Sequence, residues 1–384
     1  MTFEFATAGR VIFGEGSVGQ APAVAASLGK RALVVTGGTP GRHGKLLDAL
    51  ASAGVSCEAF PVSGEPALDT VRGGIAAARG FRAEIVIGIG GGSVMDAAKA
   101  VAAFVTNTGD LLDHLEVIGG ARPLELPPAP CIAIPTTAGT GSEVTRNAVI
   151  TSPAHGVKVS LRGPFMVPRV AVVDPDLTLT LPPAVTAATG LDALTQLLEA
   201  FVCSRANPVT DALCRQGLRL AAGSLARVYR DGSDREGRRD LALAALLSGM
   251  ALANAGLGAV HGMAAAIGGL FPAAPHGAVC AALLPGVLET NWNAVRANGS
   301  ARDLSKFKEA AALLTDNPHA PVESAVEWLR GLTSECAIPG LAAYGIGKSS
   351  LKDITARALA ASSMKANPVP LTGTDVERIL HAAL

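Results

Sequence analysis

AEIVIGIGGGSVMDAAKA, Ala83 to Ala100, decides the fold of this chain. Its first part, Ala83–Ile89, is apolar without alternation, the pattern of a strand buried on both faces. Glycines follow, and a helix begins near Val94. Upstream the same grammar repeats. Arg10–Phe13 reads as a short strand, Ala21–Leu28 as a helix and Arg31–Thr36 as a β-branched strand. Lys45–Ala53 reads as a helix, Val55–Val62 as a strand and Ala67–Gly80 as a helix. Strand and helix alternating at this spacing predict a parallel sheet with right-handed crossovers. In such sheets ligands bind beyond the carboxyl ends of the strands.

Two of those strand ends are rich in glycine. One is Gly37-Gly38-Thr39-Pro40-Gly41; the other is Gly90-Gly91-Gly92-Ser93. In the second, bare backbone, the Ser93 hydroxyl and the unpaired N–H groups of a helix start suit a phosphate. The spacing is not GxGxxG, since Ser93 stands where the third glycine would fall, and a glycine triplet also serves as a plain tight turn. A further strand, Cys131–Pro135, runs into TTAGTGSEVTRNAVI, Thr136–Ile150. Thr136, Thr137, Thr140, Ser142 and Thr145 offer hydroxyls to a polyphosphate or ribose; a solvated Ser/Thr loop has the same composition. Lys158, in the strand-like VKVSL, is the nearby cation.

Composition narrows the class. Of 384 residues, 32 are Lys or Arg and 32 are Asp or Glu, so neither a nucleic acid nor an anionic membrane surface is an expected partner. Half the chain is hydrophobic and 17% charged, which favours a filled core over disorder. Residues 1–16 lack a basic region followed by an apolar one, and the six cysteines form no CxxC. Both features predict a cytoplasmic protein with reduced thiols.

Beyond Leu181-Pro182-Pro183 strand-like runs give way to helices, which places a boundary between an α/β domain, 1–182, and a helical domain, 183–384. The stretch Leu241–Leu288 contains no Asp, Glu, Lys or Arg but holds His261 and His276. Leu241–Val260 has the length of a membrane span, but Ser248, Gly249, Asn254, Gly256 and Gly258 interrupt it and no basic or aromatic flank marks its ends, so buried helices are predicted. Buried histidines need partners. Thr189-Gly190 precedes a predicted helix, Leu191–Val202, that sets Asp192 and Gln196 four apart on one face. With His261 and His276 these are expected to face one another around one buried site. Tyr229–Arg239, a charged run, reads as an exposed loop. His43, His114, His155, His319 and His381 read as surface or structural.

GGGSVMDAAKA, PTTAGTGSEVT, DPDLTLTLPP, GLDALTQLLEA, VHGMAAAIGG and APHGAVCAALLP, followed by NPVPLT, resemble the motifs of the iron-containing (group III) alcohol dehydrogenases, in the same order. The resemblance implies a dehydroquinate synthase-like architecture: an α/β dinucleotide-binding domain with a parallel sheet and an all-helical domain, the active site in the cleft between them, and a homodimer. It implies cofactor contacts from Gly91, Gly92, Ser93, Thr136, Thr137, Thr145, Asn147, Lys158 and Leu177. It implies Fe2+ or Zn2+ on Asp192, Gln196, His261 and His276, with the two histidines also catalytic. Three positions depart from the pattern. Gln196 replaces a histidine. Ala265 stands where a further histidine is common. Gly37 stands where NAD-preferring members carry an Asp, which with Arg42, His43 and Lys45 leans toward tolerance of NADP as well as NAD. The implied activity is NAD(P)-dependent interconversion of a small alcohol and its aldehyde or ketone. A maleylacetate-reductase-like enzyme, able to work without metal, and a non-catalytic dinucleotide-binding subunit are the rival readings.

Overall fold

The computed structural model describes residues 2–384. Its apolar runs form eight strands: β1 (Val11–Phe13), β2 (Arg31–Gly37), β3 (Ser56–Val62), β4 (Ile85–Gly90), β5 (Cys131–Pro135), β6 (Asn147–Ser152), β7 (Val157–Arg162) and β8 (Val170–Val173). Six build one sheet in the order β1-β8-β5-β4-β2-β3, every pairing parallel. β4 lies near the middle and every one of its residues is buried, as an unbroken apolar run requires. The tail of the Ser/Thr-rich segment is not loop: β6 pairs with β7 as an antiparallel hairpin. Four helices cross over between strands: α1 (Ala21–Leu28), α2 (Gly44–Ser52), α3 (Leu68–Gly80) and α4 (Gly92–Thr106).

α4 packs close against β4 because the strand carries glycine. A Cβ at Gly88 would lie 2.8 Å from the Ala98 Cβ, and one at Gly90 would lie 2.6 Å from a Val94 methyl. The helix therefore starts at Gly92, two residues before Val94, with its N-terminus directly off the strand end.

The chain divides into two compact units. One comprises Thr7–Thr137 and Gly141–Thr178; the other comprises Leu179–Leu384, Ala138–Thr140 and the stretch up to Ala6. The second is helical: α5 (Pro183–Val202), α6 (Pro208–Arg230), α7 (Arg235–Asn254), α8 (Ala259–Leu270), α9 (His276–Asn298), α10 (Ala301–Thr315), α11 (Val322–Glu335), α12 (Leu351–Ala360) and α13 (Gly373–Ala382). Its core is one continuous cluster dominated by Ala, Leu and Val.

Two readings change here. α5 begins at Pro183, so Thr189-Gly190 lies inside it. Gly190 is not the lead-in to the helix; a Cβ there would sit 2.4 Å from Leu225 of α6, so it permits close helix packing. Tyr229–Arg239 is mostly helix, with only residues 231–234 between α6 and α7. Arg238 within it is buried, its guanidinium donating to Thr186 Oγ1 at 2.8 Å and to Gly232 O at 3.0 Å, so a charged run conceals a structural arginine. The uncharged stretch does not continue straight: α7 and α8 meet at 95°, and Gly256 takes φ +145° at the bend. No single helix among the described residues is long and apolar enough to cross a membrane.

Candidate functional site

Asp192 and Gln196 project from one face of α5, with Glu199 a further turn along. His261 sits in the first turn of α8 and His276 opens α9. All lie in the helical unit. The start of α8 is pinned from two sides. Asn367 Oδ1 accepts from Ala259 N at 3.1 Å, and Glu199 Oε1 accepts from Val260 N at 2.6 Å. The other Glu199 oxygen accepts from His261 Nδ1 at 2.7 Å. A carboxylate on Nδ1 keeps the proton there and leaves Nε2 as the lone-pair nitrogen, the usual support of a metal-bound imidazole. Gly258 makes room, since a Cβ would lie 2.8 Å from Asn367 Oδ1 and 2.9 Å from Glu199 Oε1.

His261 Nε2 lies 3.4 Å from Asp192 Oδ1, and His276 Nε2 lies 3.9 Å from the same oxygen. A fourth atom joins them. Cys280, one turn after His276 on α9, places Sγ 3.6 Å from His276 Nε2 and 4.0 Å from His261 Nε2. These four ligand-type atoms lie within 4.8 Å of one another. Asp192 Oδ1 is buried and accepts no hydrogen bond. A buried carboxylate oxygen left without a donor carries a desolvation cost that a cation would remove. Tetrahedral zinc with N, O and S ligands at roughly 2.0–2.3 Å separates them by about 3.3–3.8 Å, so the residues present fit a divalent ion with small contraction.

Gln196 does not join this set. Its amide nitrogen donates to Asp192 Oδ2 at 3.1 Å, and its oxygen accepts from Ser248 Oγ at 2.7 Å. The carboxylate beside it dictates that orientation, because an amide oxygen facing Asp192 would be repelled.

The charges in the cluster support one another. Burial opposes ionisation of Asp192, but the neighbouring His261 and His276 imidazoles outweigh it and hold its carboxyl below the ordinary value. Burial likewise opposes a Cys280 thiolate, yet the two imidazoliums bring the thiol below its usual range. His276 is raised to about 8, chiefly by the Cys280 thiolate. His261 is raised well above its ordinary value: burial opposes this, and Cys280, Asp192 and Glu199 override it. The cluster holds positive charge, as protons or as a metal that displaces them.

In the α/β unit, Gly37 is the last residue of β2, Gly91 and Thr136 directly follow β4 and β5, and Leu177 lies shortly after β8. Gly91 precedes α4, Gly92 and Ser93 form its first turn, and Thr136 N donates to Gly90 O at 2.8 Å. The glycine turn and the Thr136–Thr137 turn are thus neighbours. A Cβ at Gly91 would make only ordinary contact with Thr137, at 3.5 Å, so this glycine, unlike Gly88 and Gly90, is not required by packing. Leu177 lies half-buried in a 3-10 turn, Pro175–Thr178. Lys158 does not stand free: its Nζ pairs with Glu65 at 3.2 Å.

The cation that organises the Ser/Thr segment is Lys99. It is buried in α4 and donates to Ser142 O at 2.9 Å, to Thr145 Oγ1 at 3.0 Å and to Asn147 O. Asp96 on the same helix accepts from Ser142 Oγ at 2.6 Å and Val149 N at 3.0 Å. The Thr145 hydroxyl is thereby committed to the protein. Sequence reasoning missed Lys99, Glu199 and Cys280; each is one polar or thiol side chain on an otherwise apolar helix face.

The comparisons with known proteins agree in class. The model for iron-containing alcohol dehydrogenase matches residues 8–175, and that for the C-terminal part of the Fe-containing alcohol dehydrogenase family matches residues 186–384. The chain belongs to the iron-containing alcohol dehydrogenase family. A 1,3-propanediol dehydrogenase of Klebsiella pneumoniae is 39% identical over 295 residues, covering 75% of this chain and 73% of its own. A choline dehydrogenase of Bacillus subtilis (strain 168) is 33% identical over 376 residues, covering 96% and 91%. Among solved structures, a 1,3-propanediol oxidoreductase superposes with a TM-score of 0.92 at 33% identity, covering all of both chains.

Proposed function

We propose that this protein interconverts a small alcohol and its aldehyde or ketone by hydride exchange with NAD or NADP, assisted by a divalent ion, Fe2+ or Zn2+, in the helical unit. The observation that carries the reading is Asp192 Oδ1: a buried oxygen with no hydrogen-bond donor, facing two imidazoles and a thiol. A divalent ion bound there supplies Lewis acidity, which polarises the alcohol oxygen and lowers the pKa of its hydroxyl. Glu199 fixes the tautomer of His261 through Nδ1. The His276 side chain, 36% exposed where those of Asp192 and His261 are nearly buried, is the member of the cluster open to solvent. We assign the exit of the proton to water at this exposed edge of the cluster, since Ala265 offers no relay.

In the α/β unit we assign the pyrophosphate to Gly91, Gly92 and Ser93, where a helix N-terminus meets an open glycine. Thr136 and Thr137 adjoin it, and Leu177 offers an apolar surface. Lys158, Thr145 and Asn147 contribute to the same binding region. Gly37 leaves the ribose end without a carboxylate, and Arg42, His43 and Lys45 follow it, which supports acceptance of a 2′-phosphate. The six cysteines, all unpaired, fit a cytoplasmic protein, and a homodimer belongs to the same reading. Four convergent ligand atoms favour a catalytic metal enzyme over either rival, the metal-free reductase or the non-catalytic subunit.

The test is NAD+ and NADP+ reduction with a panel of alcohols headed by 1,3-propanediol, 1-propanol and choline, before and after chelation. The expected result is turnover that chelation abolishes and metal restores. No cofactor reduction with any alcohol, and no oxidation with any carbonyl, overturns the dehydrogenase reading. Full activity after rigorous metal removal overturns the metal's part alone.

A further inference from the structure

Gln196 occupies the position on α5 from which a fourth ligand would come, yet both ends of its amide are engaged, by Asp192 Oδ2 and by Ser248 Oγ. The opposite wall of the cluster carries Cys280. From the geometry we infer that Cys280, as a thiolate, is the fourth protein ligand of the metal, and that Gln196 is a positioning residue that never touches it. This rests on the metal reading proposed above and deepens it.

Cys280 is aimed at the cluster by its helix. His276 and Cys280 are four apart on α9, hence one turn apart on one face. Gly277 between them lets that first turn settle on α5: a Cβ there would lie 2.1 Å from Ala188 O. Its surroundings set it apart from Cys203. Cys203, just past the end of α5, has its Sγ 3.4 Å from Ala200 O, a local carbonyl contact within its own segment. Cys280 Sγ instead has two ring nitrogens, on two helices, at 3.6 and 4.0 Å.

The two halves of the inference need each other. If the Gln196 amide swung toward a metal, Asp192 Oδ2 would lose its donor inside a buried site. Left in place, the amide satisfies Oδ2 and turns Oδ1 alone to the ion. The remaining ligand is then the thiol, which on binding breaks its S–H bond, releases the proton to solvent and forms a sulfur–metal bond. A donor set of one carboxylate, two imidazoles and one thiolate is softer than one in which an oxygen or nitrogen donor replaces sulfur. Thiolate favours zinc, so this chain's site should be more zinc-selective than a site of carboxylate and imidazoles alone.

Cobalt replacement reads the ligand directly, without turnover. The full-length protein is stripped with a chelator, loaded with Co2+ and its absorption recorded, alongside C280S and Q196A. The expected wild-type spectrum has visible ligand-field bands and a near-ultraviolet thiolate-to-cobalt charge-transfer band. C280S should keep the first and lose the second. Q196A should keep both while binding Zn2+ about 10–100-fold more weakly in a competition titration with a chromophoric chelator, the usual effect of removing a support behind a ligand. Ligand-field bands without the charge-transfer band in wild type overturn the inference and leave the metal reading standing. Absence of every cobalt band overturns both. The decisive spectrum is that of the wild-type protein, so the outcome does not depend on either variant folding.

Discussion

Gly37 ends β2 in open space: a Cβ built there meets nothing within 4 Å. An aspartate at this position therefore fits without displacing the backbone, and its carboxylate would repel a 2′-phosphate while accepting from a ribose hydroxyl. Gly37→Asp is expected to raise the ratio of kcat/KM for NAD+ over NADP+ by about tenfold or more, since like charges brought together cost at least that much. An unchanged ratio would show that the adenosine end binds elsewhere. Individual residues were legible in proportion to how badly they suit their surroundings. Asp192, His261 and His276 stand out because a polar group in an apolar run needs a reason. Cys280 does not, because cysteine is at home in an apolar helix, and only its distance from two imidazoles reveals a use. Gln196 was visible as a departure from a pattern. Which way its amide turns depends on Ser248, on another helix 52 residues away, and no local reading reaches that far.

Elements were legible where one physical cause set their limits. Cys131–Pro135 and Ala21–Leu28 are the strand and helix that apolar runs bounded by breakers predict. Glycine defeated the same reasoning, because it means a turn in one place and a close approach in another. Thr189-Gly190 reads as the lead-in to a helix, yet Gly190 lies inside α5 and is a contact with Leu225. Two helix-borne glycines turn this into a prediction of opposite signs. Gly223 lies exposed on α6 with nothing within 4 Å of a Cβ, so Gly223→Ala should stabilise by about 0.5–1 kcal/mol through lost unfolded-state freedom. Gly277→Ala drives a Cβ into the Ala188 backbone at 2.1 Å. α9 must retreat from α5, costing about 1–3 kcal/mol and moving His276 and Cys280 away from Asp192. Urea unfolding of both variants with a zinc titration of Gly277→Ala checks this. Normal zinc affinity in Gly277→Ala would show that the approach of α9 to α5 does not set the cluster.

At the scale of the whole molecule, the proposed metal and dinucleotide sites lie in different parts of the chain. Asp192, His261, His276 and Cys280 all belong to the unit containing Leu179–Leu384. The glycine and threonine turns at Gly37, Gly91 and Thr136–Thr137 all belong to the unit containing Thr7–Thr137. A ligand that binds only the folded form stabilises it by RT ln(1 + [L]/Kd), about 2.7 kcal/mol at a hundredfold excess over Kd. That free energy acts on the openings that destroy the site, and amide hydrogen exchange resolves such openings segment by segment. Zinc added to the stripped protein should slow exchange in α5, α8 and the first turns of α9 by up to about 100-fold, the factor equivalent to that free energy. Amides of β2, β4 and α4 should respond little to zinc. NAD+ alone should reverse the pattern, protecting the start of α4 and the turns after β2 and β5. Equal protection of both units by zinc alone would mean that they open as one, and would overturn the assignment of separate sites to separately opening units. Protection by zinc confined to β2, β4 and α4 would place the metal outside the cluster altogether.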